Sequence, residues 1–155
     1  MTALISLGRV LFALLFIVSG AAKLFDLPGT AEGIAAHFSV PADFAGFAAD
    51  LEAATSFTVA QILAVAAGAI EFVCGVLIAF NIGVRFFSFV LVLFLIATTV
   101  YVHDFWNQTG PEARASMVEA LTNLSLIGAL FVLAGHGRAE PEMATPSPSK
   151  SYGDL

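Results

Sequence analysis

Four long apolar stretches alternate with shorter polar segments along the chain. They cover residues 3–25, 58–80, 84–106 and 115–134. A helix needs about 20 apolar residues to cross the hydrocarbon layer of a membrane, so each stretch is long enough to span it. The pattern therefore predicts an all-α polytopic membrane protein whose four transmembrane helices form one bundle over residues 1–137.

The segment between the first two stretches has a different pattern. Apolar residues recur there at helical spacing after Pro41, namely Phe44, Phe47, Ala48 and Leu51. This predicts a short amphipathic helix that lies on the membrane surface or caps the bundle, and an ordinary solvated loop helix is an equally valid interpretation. Thr58, with Gln61 three residues later, has the spacing of a capping box, which predicts that the second span begins there.

The composition is typical of a membrane protein and argues against several classes of function. Of the 155 residues, 59% are hydrophobic and only 12% are charged, against about a quarter charged in a soluble domain. The net charge is −6 and no dense basic stretch is present, so nucleic acid is not an expected partner. Cys74 is the only cysteine, which excludes an intrachain disulfide and a dithiol redox pair.

The basic residues are distributed unequally over the two ends of the predicted bundle. One end carries Arg9, Arg85, Arg138 and Lys150, and the other carries Lys23 and Arg114. Because basic residues favour the cytoplasmic side, we predict that both termini are cytoplasmic. Residues 138–155 are then a disordered cytoplasmic tail, since this segment contains too few apolar residues to fold alone. The first stretch also resembles a signal peptide, and we expect it to be retained as a helix.

Glu71 is the one carboxylate near the middle of the second stretch. Its helical face consists of small or apolar residues, namely Ala64, Ala67, Gly68, Cys74, Gly75 and Ile78. Such a face lets neighbouring helices approach closely, so Glu71 is expected to point into the bundle. From depth alone we predict an intramembrane cluster of Arg9, Glu71 and Arg85. It has two interpretations: an interhelical clasp, or a carboxylate that carries protons or holds a ligand.

A second polar cluster is predicted at the opposite end of the bundle. Its members are Lys23, Asp26, His103, Asp104, Glu119 and Asn123. A salt-bridge network that fixes the helix ends is one interpretation. Proton exchange, or a hydrogen bond to a quinone carbonyl, is the other, because imidazole titrates near neutral pH. No metal site is expected, since no pair of histidines has the i, i+4 spacing of a metal-binding helix.

The order and spacing of these residues resemble the DoxX family of small bacterial membrane proteins. The stretches that carry the resemblance are LGRVLFALLFIVSGAAKLFD, GAIEFVCGVLIAFNIGVR, VHDFW and NLSLIGALFVLAGHG. The resemblance implies a four-helix membrane bundle with inward polar residues. It also implies a redox setting, since the family takes its name from a membrane subunit of a thiosulfate:quinone oxidoreductase.

The leading functional hypothesis is therefore an accessory or anchor subunit of a quinone-linked oxidoreductase in the bacterial inner membrane. A quinone-interacting catalytic subunit is the first alternative, with Glu71, His103 and Asp104 as candidates for handling protons. A small transporter or channel is the second. The chain has no cysteine pair and is not expected to be an enzyme on its own. No intrinsic cofactor is expected, and quinone is the candidate ligand. The expected partners are the lipid bilayer, another membrane redox protein and, as a further hypothesis, a second copy of the chain.

Overall fold

The computed structural model describes residues 2–136, and the predicted tail at 138–155 lies outside the described residues. Six α-helices occur in this part of the chain: α1 Thr2–Phe25, α2 Leu27–His37, α3 Ala45–Thr55, α4 Val59–Ala79, α5 Val84–Tyr101 and α6 Gly110–His136. Short 3₁₀ turns precede α3 and α6. Four helices, α1, α4, α5 and α6, are long and apolar enough to cross a membrane. The predicted all-α fold with four transmembrane helices is confirmed.

The start of α4 has the predicted capping box. The Thr58 hydroxyl accepts a hydrogen bond from the backbone N–H of Gln61 at 3.2 Å, and the Gln61 side-chain oxygen accepts one from the N–H of Thr58 at 2.9 Å. These two bonds satisfy donors that a helix start otherwise leaves without partners. The helix ends before the left-handed residues Asn81 and Gly83, with φ of 63° and 54°. Residues 80–83 therefore form a tight turn into α5.

The third membrane helix, α5, is shorter than the predicted stretch 84–106. It ends at Tyr101, and a 3₁₀ turn follows at Phe105–Asn107. Asp104 explains the early end, because its carboxylate accepts hydrogen bonds from the side-chain amides of Asn107 at 3.0 Å and Gln108 at 2.9 Å. These bonds stabilise a turn in place of another helical turn. The fourth membrane helix, α6, begins at Gly110, five residues before the predicted start at residue 115.

Residues 26–58, which we call the arm, contain two helices. The first, α2, packs against α4 and buries Ala31. The second, α3, contains no buried residue, and Phe47 within it is 69% exposed. The arm lies at one end of the bundle, which we call the arm end. The opposite end, with the turn at residues 80–83, is called the turn end.

The four long helices pack as neighbours in chain order. The most extensive contact is between α1 and α4, followed by α5 with α6, and α4 contacts α5. All four contribute to one apolar core, formed by Ala13, Phe16, Cys74, Ile78, Leu91, Val92, Leu95 and Leu130. Many large apolar side chains face outward, including Leu93 at 68% exposure and Leu124 at 63%. Such an exterior suits contact with lipid.

Candidate functional site

Glu71 is buried at the interface between α4 and α1. Its Oε2 lies 2.8 Å from Nζ of Lys23, and the Glu71 side chain is only 7% exposed. The same Nζ donates a hydrogen bond to the hydroxyl of Ser19 at 2.7 Å, and the Lys23 side chain is 31% exposed. Lys23 thus provides the counter-charge for Glu71 while its ammonium also bonds a neutral acceptor. No other salt bridge occurs among residues 2–136.

Close packing of two helix backbones makes this pair geometrically feasible. A Cβ atom added to Gly20 of α1 would lie 2.5 Å from the backbone nitrogen of Phe72 and 2.6 Å from the carbonyl oxygen of Gly68, both in α4. Helical side chains lean toward the N-terminus of their own helix. Lys23 therefore extends back along α1, and its ammonium reaches the level of Ser19 and Glu71.

The predicted cluster of Arg9, Glu71 and Arg85 does not come together in the structure. Nη1 of Arg9 donates a hydrogen bond to Oδ1 of Asn81 at 2.8 Å, which places Arg9 at the turn end. Asn81 follows Glu71 by ten residues, or roughly 15 Å at 1.5 Å per residue. That distance is too long for an arginine side chain to cover. Arg85 is exposed in the first turn of α5. The partner of Glu71 is instead Lys23, which we predicted for the opposite cluster.

Some members of the predicted second cluster are neighbours at the arm end, although no salt bridge within residues 2–136 joins them to one another. Glu119 and Lys23 are near enough to His103 for their charges to act on it through space. His37, at the end of α2, is a third such neighbour, and the sequence interpretation did not include it. His103 is half-buried, whereas Glu119 is exposed. Lys23 is the one member that contacts Glu71, so it connects this cluster to the bundle interior.

Asp26 and Asn123 make local contacts. Asp26 is the N-cap of α2, and its carboxylate accepts a hydrogen bond from the N–H of Gly29 at 3.1 Å. Asn123 is buried in α6, and its side-chain amide donates to the hydroxyl of Thr99 in α5 at 3.0 Å. Each contact fixes a helix start or a helix pair. These residues therefore act locally in the described structure.

Asp104 belongs to a turn network and not to a pair with His103. Besides its bonds from Asn107 and Gln108, the network extends to α6, because the hydroxyl of Ser116 donates to the side-chain oxygen of Gln108 at 2.7 Å. This network connects the end of α5 to the start of α6. The carboxylate of Asp104 is accordingly used as an acceptor for neutral amides.

Comparison with known proteins places the chain in a family. The DoxX family model matches residues 4–104, which is about two thirds of the chain. The chain belongs to the DoxX family. The inner membrane protein YphA of Escherichia coli strain K12 is similar to it, with 24% identity over 131 residues that cover 84% of this chain and 81% of that protein. No solved structure matches significantly. Together with the four apolar helices, these findings identify a bacterial multi-pass membrane protein.

The part of this DoxX protein that matches the family model contains both members of the buried ion pair. Lys23 and Glu71 lie inside residues 4–104, as do His103 and Asp104, whereas Glu119 lies beyond them. Ser19 and Lys23 are four residues apart and so share a face of α1. That spacing was the available signal that Lys23 points toward the interior.

The second feature of this DoxX protein is a groove beneath the arm, which we call the arm groove. It has a volume of about 560 Å³. Aromatic and aliphatic side chains of α3 line it together with His37 of α2 and Tyr101 at the end of α5. No group of three or more His, Cys, Asp or Glu side chains is arranged to hold a metal ion in the described part of the chain. The ion pair and the arm groove each bring polar groups together with apolar side chains of the bundle.

Proposed function

We propose that this protein is an accessory or anchor subunit of a quinone-linked oxidoreductase assembly in the bacterial inner membrane. The observation that carries the proposal is the pairing of Glu71 with Lys23. Both charges lie at the tightest helix contact of the bundle, and each is the other's partner. A charge used in this way stabilises the association of α1 with α4. It favours the clasp interpretation of Glu71 over the proton-carrying one.

The arm supplies a surface for a partner protein. Phe44 and Phe47 are 60% and 69% exposed, and α3 contacts the bundle only slightly, mainly through α4. Aromatic side chains are enriched at protein interfaces because they bury a large area at a low entropy cost. An anchor subunit needs such a surface outside its membrane helices.

Purification of the tagged protein from its native membrane in a mild detergent tests this proposal. We expect a protein with flavin, haem or iron–sulfur absorbance to co-purify in a fixed ratio to this chain. Deleting the gene is expected to release that redox protein from the membrane fraction, and the wild-type gene is expected to restore it. A redox protein that stays membrane-bound without this chain would contradict an anchor role.

Two matched variants locate the contact. We expect Phe47→Asp to abolish co-purification, because it places a charge on the apolar face of α3. Ala49→Asp introduces the same charge at another exposed position of α3 and is expected to retain the partner. Melting temperatures of both variants show whether the fold is kept. Equal loss in both variants, at unchanged melting temperature, would place the contact elsewhere.

The arm groove supports a second candidate, a quinone-interacting catalytic subunit. Its lining combines apolar side chains with the residues His37 and Tyr101, whose types carry groups that can hydrogen-bond the carbonyls of a quinone. The chain has a single tryptophan, Trp106, located five residues after Tyr101. Quenching of its fluorescence by decylubiquinone is expected to saturate for the wild type and to weaken in Tyr101→Phe. Non-saturating quenching, identical in both proteins, would exclude this candidate.

A further inference from the structure

Two arginine side chains at the turn end have no carboxylate partner among the described residues. Arg9 bonds the neutral side chain of Asn81, and its Nε is buried without a hydrogen-bond partner. Arg85 makes no hydrogen bond or salt bridge within residues 2–136 and is exposed. Within residues 2–136, Lys23 and Glu71 form the only salt bridge. In the same part of the chain, the positive charges of Arg9 and Arg85 therefore meet no carboxylate at the turn end.

A groove lies beside these arginines, and we call it the turn groove. Its volume is about 500 Å³, and its lining consists of Asn81, Gly83, Val84, Arg85, Phe86 and Phe89. Arg9 is joined to it through its bond to Asn81. A binding site here would thus hold the Arg85 guanidinium in its wall, with that of Arg9 bonded to the lining residue Asn81.

The start of α5 adds to the positive potential of the turn groove. Gly83 is the N-cap, it provides no side-chain acceptor, and the first turn of α5 contains no acidic residue. The first N–H groups of a helix have no partners within the helix and favour anions. These groups and the two guanidinium groups point to one kind of ligand, an anion with several oxygen acceptors.

Apolar side chains surround this charged region. Phe86 is 66% exposed and Phe89 is 46% exposed, and Ile82 of the turn is 54% exposed. In a bilayer these rings face the acyl chains of lipids, so an anion bound beside them lies where lipid head groups meet hydrocarbon. The ligand is therefore expected to be amphipathic.

We propose that the turn groove binds an anionic phospholipid, with its phosphodiester held by Arg85, Arg9 and the start of α5, and its acyl chains lying over Phe86 and Phe89. Basic pockets near helix ends are typical sites for anionic head groups. Arginine suits a phosphate because its planar guanidinium presents two N–H groups to two oxygens. The assignment concerns lipid chemistry alone and does not depend on the function proposed above.

Titration of the purified full-length protein with defined mixed micelles tests the assignment. We expect dioleoyl phosphatidylglycerol to bind saturably and to raise the melting temperature, and dioleoyl phosphatidylcholine to do neither. The number of retained lipids is counted by native mass spectrometry. Since one basic residue near an anionic lipid contributes about fivefold in affinity, we expect Arg9→Gln and Arg85→Gln each to weaken binding about fivefold and the double variant about 25-fold.

Arg114→Gln is the matched control, because Arg114 is an exposed arginine in α6 near the arm end. It is expected to bind phosphatidylglycerol as the wild type does. Equal weakening in this variant would overturn the assignment by showing a general effect of net charge. Displacement of the lipid by 50 mM inorganic phosphate, with Arg85→Gln removing the effect, would replace the lipid by a free anion and also overturn it.

Folding of the variants is checked independently. Arg85→Gln removes a side chain with no partner in the described structure, so its lipid-free melting temperature is expected to match that of the wild type. Arg85→Lys keeps the charge but loses the paired N–H groups, so its affinity is expected to lie between those of the wild type and Arg85→Gln. A binding loss in Arg85→Lys as large as in Arg85→Gln, with unchanged lipid-free melting, would contradict recognition of phosphate by charge.

Discussion

The carboxylate of Glu71 lies in an apolar helix, and its side chain is only 7% exposed. Removing a charge from water is costly unless a counter-charge and hydrogen bonds replace the lost hydration. Lys23 supplies both, and its own side chain stays partly exposed. The two residues differ in burial, 7% against 31%. Replacing Lys23 and replacing Glu71 should therefore lower the stability of the protein by different amounts.

A double-mutant cycle on this pair gives the first prediction. Lys23→Met leaves Glu71 buried without a counter-charge and is expected to lower the free energy of unfolding by about 3 kcal/mol. Glu71→Gln leaves a half-exposed Lys23 that keeps its bond to Ser19, so the expected loss is smaller, about 1.5 kcal/mol. The double variant is expected to lose less than the sum of the two.

Unfolding of the purified variants by titration with dodecyl sulfate in mixed micelles measures these values. The same variants separate the clasp from proton transfer, because a clasp tolerates a neutral pair of similar shape. We expect the double variant to retain the co-purifying redox partner and its quinone-linked activity. Additive losses in stability, or a stable double variant without activity, would contradict the clasp.

For single residues, the sequence was sufficient to identify Glu71 as an inward-facing carboxylate but not to identify Lys23 as its partner. Its isolation within an apolar stretch and the small residues around it predicted an inward orientation, which the buried side chain agrees with. The partner depends on the register between α1 and α4, and that register is determined by the contact of Gly20 with Gly68 and Phe72. The pattern of residues along the sequence does not reveal which residues of α1 and α4 meet at this contact. Depth estimates therefore favoured Arg9, which lies roughly 15 Å away along the helices.

Among the elements, α1 and α4 form the closest helix pair of the bundle. Their approach depends on small side chains on both helices, including Gly20, Gly68 and Gly75. In lipid, apolar side chains gain little from leaving the bilayer for a helix interface, so close van der Waals packing contributes much of the association energy. A single methyl group added at this contact should therefore lower the free energy of unfolding by a measurable amount.

The second prediction compares two glycines of the same helix. Gly20→Ala places a methyl group 2.5 Å from a backbone atom of α4 and is expected to lower the free energy of unfolding by about 2 kcal/mol. Gly8→Ala is the control, because no atom lies within 4 Å of its added Cβ. It is expected to be neutral or slightly stabilising, since alanine favours helices by up to about 1 kcal/mol. Thermal unfolding in detergent compares the two; equal stability would contradict the close contact.

Helix ends were predictable where a local signal determines them. Thr58 and Gln61 form a motif complete within four residues, so the start of α4 followed from sequence. The end of α5 did not, because Val102, Phe105 and Trp106 continue the apolar stretch in the sequence. In the structure the helix stops where side-chain bonds to Asp104 form a turn. The amides of Asn107 and Gln108 that make these bonds have no fixed spacing that distinguishes them from an ordinary loop.

On the scale of the whole molecule, charge is arranged differently at the two ends. At the arm end Lys23 is engaged with Glu71, which leaves Arg114 as a basic side chain without a salt bridge in the described structure. The turn end carries Arg9 and Arg85, neither of which meets a carboxylate there. The cytoplasmic bias counts Lys and Arg whether or not they are paired, so the orientation still rests on the sequence, which assigns four basic residues to the turn end and two to the arm end. We therefore retain the prediction that the turn end faces the cytoplasm.

Site-specific labelling tests that orientation. Cys74 is buried, so Cys74→Ala provides a background without cysteine, into which single cysteines are introduced. Ser39→Cys lies in the exposed arm and His136→Cys at the exposed end of α6, at the turn end. In intact cells we expect a membrane-impermeant maleimide to label Ser39→Cys alone, and His136→Cys to react only after the membrane is disrupted. The unsubstituted protein, whose single thiol is buried, is expected to remain unlabelled in intact cells. The reverse pattern would place the arm in the cytoplasm, and any redox partner bound by the arm would then be a cytoplasmic protein.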